Sequence, residues 1–230
     1  VSEMCIRDRP NASEDVHIIR DILLAGLTGG HIHIQHVSTG YGVGAIRSAK
    51  ARGIQVTAEA SPHHLILTDE AVEGYRTEAK MNPPLRSAED RDAVRKGLAD
   101  GTLDTIATDH APHHYDEKEA AFDDAPNGIV GLETCVGLMF THVVGEGLID
   151  IPTLVERMSL APARAFHLPG GTLAQDSAAD VTIIDPELSW QVDPESFLSL
   201  SRNTPFGGWE LKGRAVATIV GGRMVWTLQD

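Results

Sequence analysis

The chain is poor in cysteine, aromatic rings and positive charge, and it has no long apolar run. Only Cys5 and Cys135 occur among 230 residues, so a disulfide framework is excluded and a reducing cytoplasm is the expected compartment. Lys and Arg number 19 against 33 Asp and Glu, a net charge of −14. Phosphate backbones and anionic membranes are held by clustered basic residues, so neither nucleic acid nor a membrane surface is an expected partner. No stretch approaches the roughly 18 apolar residues of a membrane-spanning helix. Residues 1–10 have no apolar core of the kind a signal peptide carries. Aromatics are 5 % of the chain, yet hydrophobic residues reach 42 %, enough to pack a core. What is abundant is histidine, with 11 residues, several of them in short clusters.

Periodicity gives the organisation. Ala12, Val16, Ile19, Leu23 and Leu27 recur at three and four, which predicts a helix over 11–27. Residues 31–37 alternate and are β-branched, a strand. Helix 41–52, strand 54–58, a helix from about 87 to 99 capped by Ser87, and strand 103–107 follow. Strand–helix alternation of this kind predicts an α/β fold with a parallel sheet. Residues 109–128 form a loop rich in His, Asp, Glu and Pro, long enough to be read as functional and as a mobile lid. Helices are expected at 132–146 and 151–167. Beyond Leu168 the pattern changes to strands 181–184, 214–220 and 223–227 without helices between them, with Gly221-Gly222 as a hairpin turn. Three parallel strands and a few antiparallel ones are too little to cover their own faces, so part of a larger architecture is expected.

Four segments carry chemistry. His36 ends the first strand before Ser38-Thr39-Gly40, at the end where α/β barrels gather catalysts; a structural role and a ligand role both fit it. His31 and His33 lie early in that strand and are read as structural. In Ser61-Pro62-His63-His64-Leu65, adjacent rings on an extended chain point to opposite sides, so at most one is expected to face a site. In Lys80-Met81-Asn82-Pro83-Pro84-Leu85-Arg86, two prolines make a rigid platform under Asn82, whose amide suits a ligand with imide or amide edges. In Thr108-Asp109-His110-Ala111-Pro112-His113-His114, a strand runs out into Asp-His. Asp109 there is open to three readings: a metal ligand, a general base or both, in the manner of metal-dependent hydrolases.

In order and spacing, His36-Val37-Ser38-Thr39, Ser61-Pro62-His63-His64-Leu65, Met81-Asn82-Pro83-Pro84-Leu85-Arg86 and Thr108-Asp109-His110-Ala111-Pro112-His113 resemble the bacterial dihydroorotases. Asn203-Thr204-Pro205-Phe206, Gly208-Trp209 and Lys212-Gly213 extend the resemblance, which runs from about Pro10 to Trp226. It implies a metal-dependent amidohydrolase on a (β/α)₈ barrel, with a small β-sandwich built from both chain ends. The implied reaction is reversible hydrolysis of (S)-dihydroorotate to N-carbamoyl-L-aspartate in pyrimidine synthesis. By the resemblance, His36 matches a zinc ligand after barrel strand six. Asp109 matches the strand-eight ligand that is also the catalytic proton shuttle. Asn82 and His113 match substrate-binding positions, and Asn127-Gly128 the loop pair against the substrate, where the family commonly has Phe-Gly.

The family's remaining ligands, on strands one, four and five, have no counterpart upstream of Pro10. The chain therefore resembles the carboxyl-terminal half of such an enzyme: an unmatched tail at 1–9, open to a non-native reading, strands six to eight of a barrel over 10–167, and part of the sandwich over 168–230. One or two Zn²⁺ ions are the implied cofactor of the complete enzyme. A homo-oligomer, or association with aspartate transcarbamoylase, is the implied assembly. A hydantoinase- or allantoinase-like hydrolase and a non-catalytic scaffold subunit are the alternatives.

Overall fold

The structure is a computed structural model that describes residues 9–229. All but Arg9 of the unmatched tail, Cys5 included, lies outside the described residues. Packing divides the chain into two compact units, residues 1–132 with 194–205 and residues 133–193 with 206–230. That division comes earlier than the change of pattern near Leu168. The helix at Cys135–Met139 packs on the antiparallel strand Glu210–Val220 and so joins the β-rich unit.

The first unit is built on a parallel sheet of β1 (Ile32–Ile34), β2 (Val56–Ala60) and β3 (Thr105–Ile106), in that order. Its helices are α1 (Asn11–Thr28), α2 (Gly40–Ala51), the short α3 (Pro62–Ile66) and α4 (Ala88–Ala99). Thr39 caps α2 by accepting from Gly42 N, and Ser87 caps α4 by accepting from Asp90 N. Val37, Val43, Ile46, Ala58, Val94, Leu98 and Leu103 form its core.

Helix α1 turns in a different stripe from the expected one. Ile18, Ile22 and Ala25 are buried, whereas Val16, Leu23 and Leu27 are 62 %, 60 % and 82 % exposed. The helix is apolar on two faces, so periodicity alone does not choose between them. The inward face carries Asp15, whose carboxylate accepts from the Thr39 hydroxyl at 2.6 Å. An acid on an apolar stripe hides that stripe from a hydropathy reading.

The 109–128 stretch, expected to be a mobile lid, carries structure of its own. It forms the one-turn helix α5 (Tyr115–Lys118), capped reciprocally by His114 and Glu117, and it buries Lys118, Phe122 and Ala125.

In the second unit, strands β4 (Val181–Gln191), β5 (Glu210–Val220) and β6 (Arg223–Thr227) form an antiparallel sheet in chain order, with β5 and β6 joined through Gly221-Gly222. Leu138, Met139, Leu154, Val192, Phe206 and Leu211 make its core, and every residue of β6 is exposed. No helix among the described residues is long and apolar enough to cross a membrane.

Candidate active site

The polar residues of interest lie where the three parallel strands end. His36, just past β1, and Asp109, just past β3, both take left-handed backbone angles, with φ of 36° and 50°. For residues other than glycine such angles cost on the order of 1–3 kcal/mol and cluster at functional sites. The surroundings hold the chain after His36 in place. Val37 N donates to Glu59 O at 3.0 Å. Ser38 donates its N–H to Glu14 Oε1 at 2.8 Å, and its hydroxyl to the same carboxylate. Arg86, buried, donates Nε to Ser38 Oγ at 3.1 Å and Nη2 to Glu14 Oε2 at 3.2 Å. Gly40 N donates to Asp90 Oδ1 at 2.9 Å. Nδ1 of His36 is buried and has no hydrogen-bond partner among the described residues.

His31 and His33 are spoken for elsewhere. The ring of His31 bonds Thr57 Oγ1 at 2.9 Å, and that of His33 bonds Thr57 Oγ1 at 2.8 Å and Glu59 Oε2 at 2.9 Å.

His63 and His64 do not flank an extended chain. They sit on α3, started by Pro62, and both rings are buried with centroids 4.4 Å apart. The expectation that at most one faces the site came from strand geometry, which this segment does not have. Their protons follow from the bonds they make. Pro83 O only accepts, so His64 carries its proton on Nε2, 3.0 Å away. Burial pushes the His64 pKa down to about 3, against the Pro83 bond, which raises it; the ring is neutral and its Nδ1 is bare. That Nδ1 takes the single hydroxyl proton of Ser61 at 2.7 Å. Ser61 Oγ then accepts from His63 Nε2 at 2.9 Å. His63 is neutral too, its pKa held well below the usual value first by burial and then by the neighbouring His64 and His36. The same Nε2 stands 3.9 Å from Asp109 Oδ2. Burial raises the Asp109 pKa and Glu59 adds to the rise, while His36 opposes it.

Neutral buried histidines tie stability to pH. Between about 6.5 and about 3 an unfolded ring at position 64 takes a proton and the folded one does not. The unfolded state binds more protons in that window, so this part of the stability is complete above pH 6.5 and is lost as pH falls. In the metal-free protein the urea midpoint is expected to be lower at pH 5 than at pH 7.5, and His64→Gln to flatten that dependence. Equal slopes in the two proteins would contradict the burial of a neutral ring.

Asn82, His113, Asn127 and Gly128 are brought together. Arg9 donates to Asn82 Oδ1 at 2.8 Å and to Asn127 Oδ1 at 3.5 Å, so the two amide oxygens lie within reach of one planar group. His113 Nε2 donates to Asn127 O at 2.9 Å. Asn203 Nδ2 bridges Ala111 O at 3.0 Å and Gly128 O at 3.1 Å. Gly128 has φ of +109°, and a Cβ there would lie 2.5 Å from Ala111 Cβ, so only glycine fits.

For a metal, the site offers the buried Nδ1 of His36, which has no hydrogen-bond partner among the described residues, and the carboxylate of Asp109. Among the described residues no three His, Cys, Asp or Glu side chains gather in a way that could hold an ion. A catalytic zinc takes three protein ligands and a water. The donors fit a metal as part of a shell, and its other ligands are not among them. Sequence reasoning passed over Glu14, Ser61, Lys80, Arg86 and Lys118 as functional groups. The roles of Glu14, Lys80, Arg86 and Lys118 arise from partners eight or more residues away, which no local pattern signals, whereas Ser61 bonds its near neighbours His63 and His64.

The amidohydrolase family model matches residues 14–225. A dihydroorotase of Syntrophotalea carbinolica is 52 % identical over 229 residues, covering 100 % of this chain and 54 % of that protein. A dihydroorotase of Pelotomaculum thermopropionicum is 58 % identical over 221 residues, covering 96 % of this chain and 51 % of that protein. The chain thus spans about half the length of the curated relatives it matches. Among solved structures, a dihydropyrimidinase of Brevibacillus agri matches with a TM-score of 0.91 at 26 % identity, over 96 % of this chain and 50 % of that one. An L-hydantoinase of Arthrobacter aurescens matches with a TM-score of 0.88 at 32 % identity, over 100 % of this chain and 55 % of that one. With its family match running through both compact units and its strand-end His and Asp converging, the chain belongs to the amidohydrolase family.

Proposed function

We propose that this chain is the carboxyl-terminal half of a dihydroorotase, which reversibly hydrolyses (S)-dihydroorotate to N-carbamoyl-L-aspartate. The observation that carries the reading is the identity of 52 % and 58 % to proteins named dihydroorotase, against 26 % and 32 % to the dihydropyrimidinase and hydantoinase structures. In this reading β1, β2 and β3 are strands six to eight of a (β/α)₈ barrel within residues 10–167, and residues 168–230 are part of a β-sandwich. The complete enzyme works in the cytoplasm on a small anionic substrate, as an oligomer or beside a transcarbamoylase.

His36 and Asp109 would hold zinc together with ligands from the rest of the enzyme, one or two ions in all. Zinc, when bound, supplies Lewis acidity and a water of lowered pKa. The Asp109 carboxylate receives the proton of the attacking water. It passes that proton to the ring nitrogen as the C–N bond breaks, so the ring opens to carboxylate and ureide. Asn82, Asn127, Gly128 and His113 hold the substrate. The guanidinium of Arg9 stands in for its N–H edges, since a ureide is likewise planar and donates on two sides.

Activity on dihydroorotate, compared with hydantoin and allantoin, tests the reading in the complete enzyme; preference for either of the latter would overturn it. Asn82→Ala and His113→Ala are expected to lower kcat/KM with zinc content unchanged, because neither residue is placed on metal. Loss of zinc in either variant would move that residue into the metal shell.

A further inference from the structure

Two lysines outside this machinery are buried, Lys80 at 7 % and Lys118 at 6 % exposed. Lysine is seldom buried, because its ammonium must be stripped of water. Here backbone carbonyls of one short segment replace that water. Lys80 Nζ donates to Phe122 O at 2.5 Å, Ala125 O at 2.6 Å and Asp123 O at 3.1 Å, and it lies 5.3 Å from the centre of the Phe122 ring. Lys118 Nζ donates to Pro126 O at 2.9 Å and Gly128 O at 3.1 Å. Two charges therefore gather five carbonyls between residues 122 and 128. The main chain closes the same knot. Gly128 N donates to Lys80 O at 2.8 Å, and the Thr77 hydroxyl donates to Lys118 O.

Charge-assisted bonds of this kind are roughly twice as strong as neutral ones. They fix the peptide planes of a segment that has no helix or strand to do so. Lys80 stands two residues before Asn82, so one side chain ties the 122–128 segment to the Asn82 platform. Burial lowers the Lys118 pKa to about 8, with Glu78 opposing and Lys80 adding to the fall, and most of the ammonium is still charged at neutral pH.

We propose that Lys80 and Lys118 are positioning residues that hold residues 122–128 as a fixed wall of the substrate site, with Asn127 and Gly128 set opposite Asn82. The substrate's identity rests on the dihydroorotase reading; the clamp does not.

The test uses the complete enzyme carrying this sequence. Lys80→Met and Lys118→Met keep the apolar stem and remove the charge; Lys118→Arg keeps the charge. Hydrogen exchange at the Gly128 amide is expected to quicken about 10-fold or more in the Met variants, and to be largely restored in Lys118→Arg. KM for dihydroorotate is expected to rise about 10-fold, with kcat changed less and zinc content unchanged. Should Lys80→Met fail to fold, Lys118→Gln, which keeps neutral N–H donors, carries the same comparison. Unchanged Gly128 exchange in the folded variants would overturn the clamp. So would a lowered melting temperature with no change in KM. An unsubstituted enzyme without dihydroorotate turnover would instead overturn the functional reading, and the exchange rates would still decide the clamp.

Discussion

Asp109→Asn in the complete enzyme is expected to lower kcat for dihydroorotate by about 10²–10⁴-fold, the usual contribution of a positioned acid–base group. The amide keeps the size of the carboxylate and one oxygen that can still face a metal. It cannot receive the proton of the attacking water, so the leaving nitrogen has no donor. Zinc analysis separates this defect from loss of metal. Asp109→Asn should retain part of its zinc, whereas His36→Ala, which removes a nitrogen ligand, should lose metal and activity together. Substantial turnover in Asp109→Asn would remove Asp109 from the proton path.

The second large effect concerns the 230-residue chain by itself, which is expected to bind zinc weakly and to show no dihydroorotate turnover. Ordinary enzymes reach on the order of 1–10³ s⁻¹, so the contrast is easily measured by the change in dihydroorotate absorbance with zinc added. Two metal donors among the described residues are short of the three that a catalytic zinc takes. The surface argues the same way. Val16, Leu23 and Leu27 are exposed along α1, as are Met224, Val225 and Trp226 along β6, and β1 and β3 are open edges of a three-stranded sheet. Unpaired edges and apolar faces of this kind favour association, so poor solubility is expected as well. Turnover in the ordinary range would refute the half-enzyme reading and require replacement ligands among His31, His33, His63 and His64.

Much of this was legible in the residues, and the exceptions have physical causes. Strand–helix alternation and the Ser87 cap announced the parallel sheet because they are local signals. The placement of His36 and Asp109 just past the ends of two parallel strands was legible because strand ends are local signals too. The inward face of α1 was not, because Asp15 interrupts it and only the distant Thr39 explains that acid. The pairing of His63 with His64 was hidden by a short helix in place of a strand. Lys118 read as one more charge in a mobile lid, and nothing within five residues of it reveals that carbonyls at 126 and 128 enclose its ammonium.

The bonds from His63 through Ser61 and His64 to the Pro83 carbonyl all point one way. Such a chain is a strut and not a conductor. Its first nitrogen already holds a hydrogen, and its last acceptor, an amide oxygen, has none to give and is too weak a base to keep one. A proton carried by Asp109 would find His63 Nε2 closed to it. The interior is insulated on that side, while the Asp109 side chain, 36 % exposed, stays open on another.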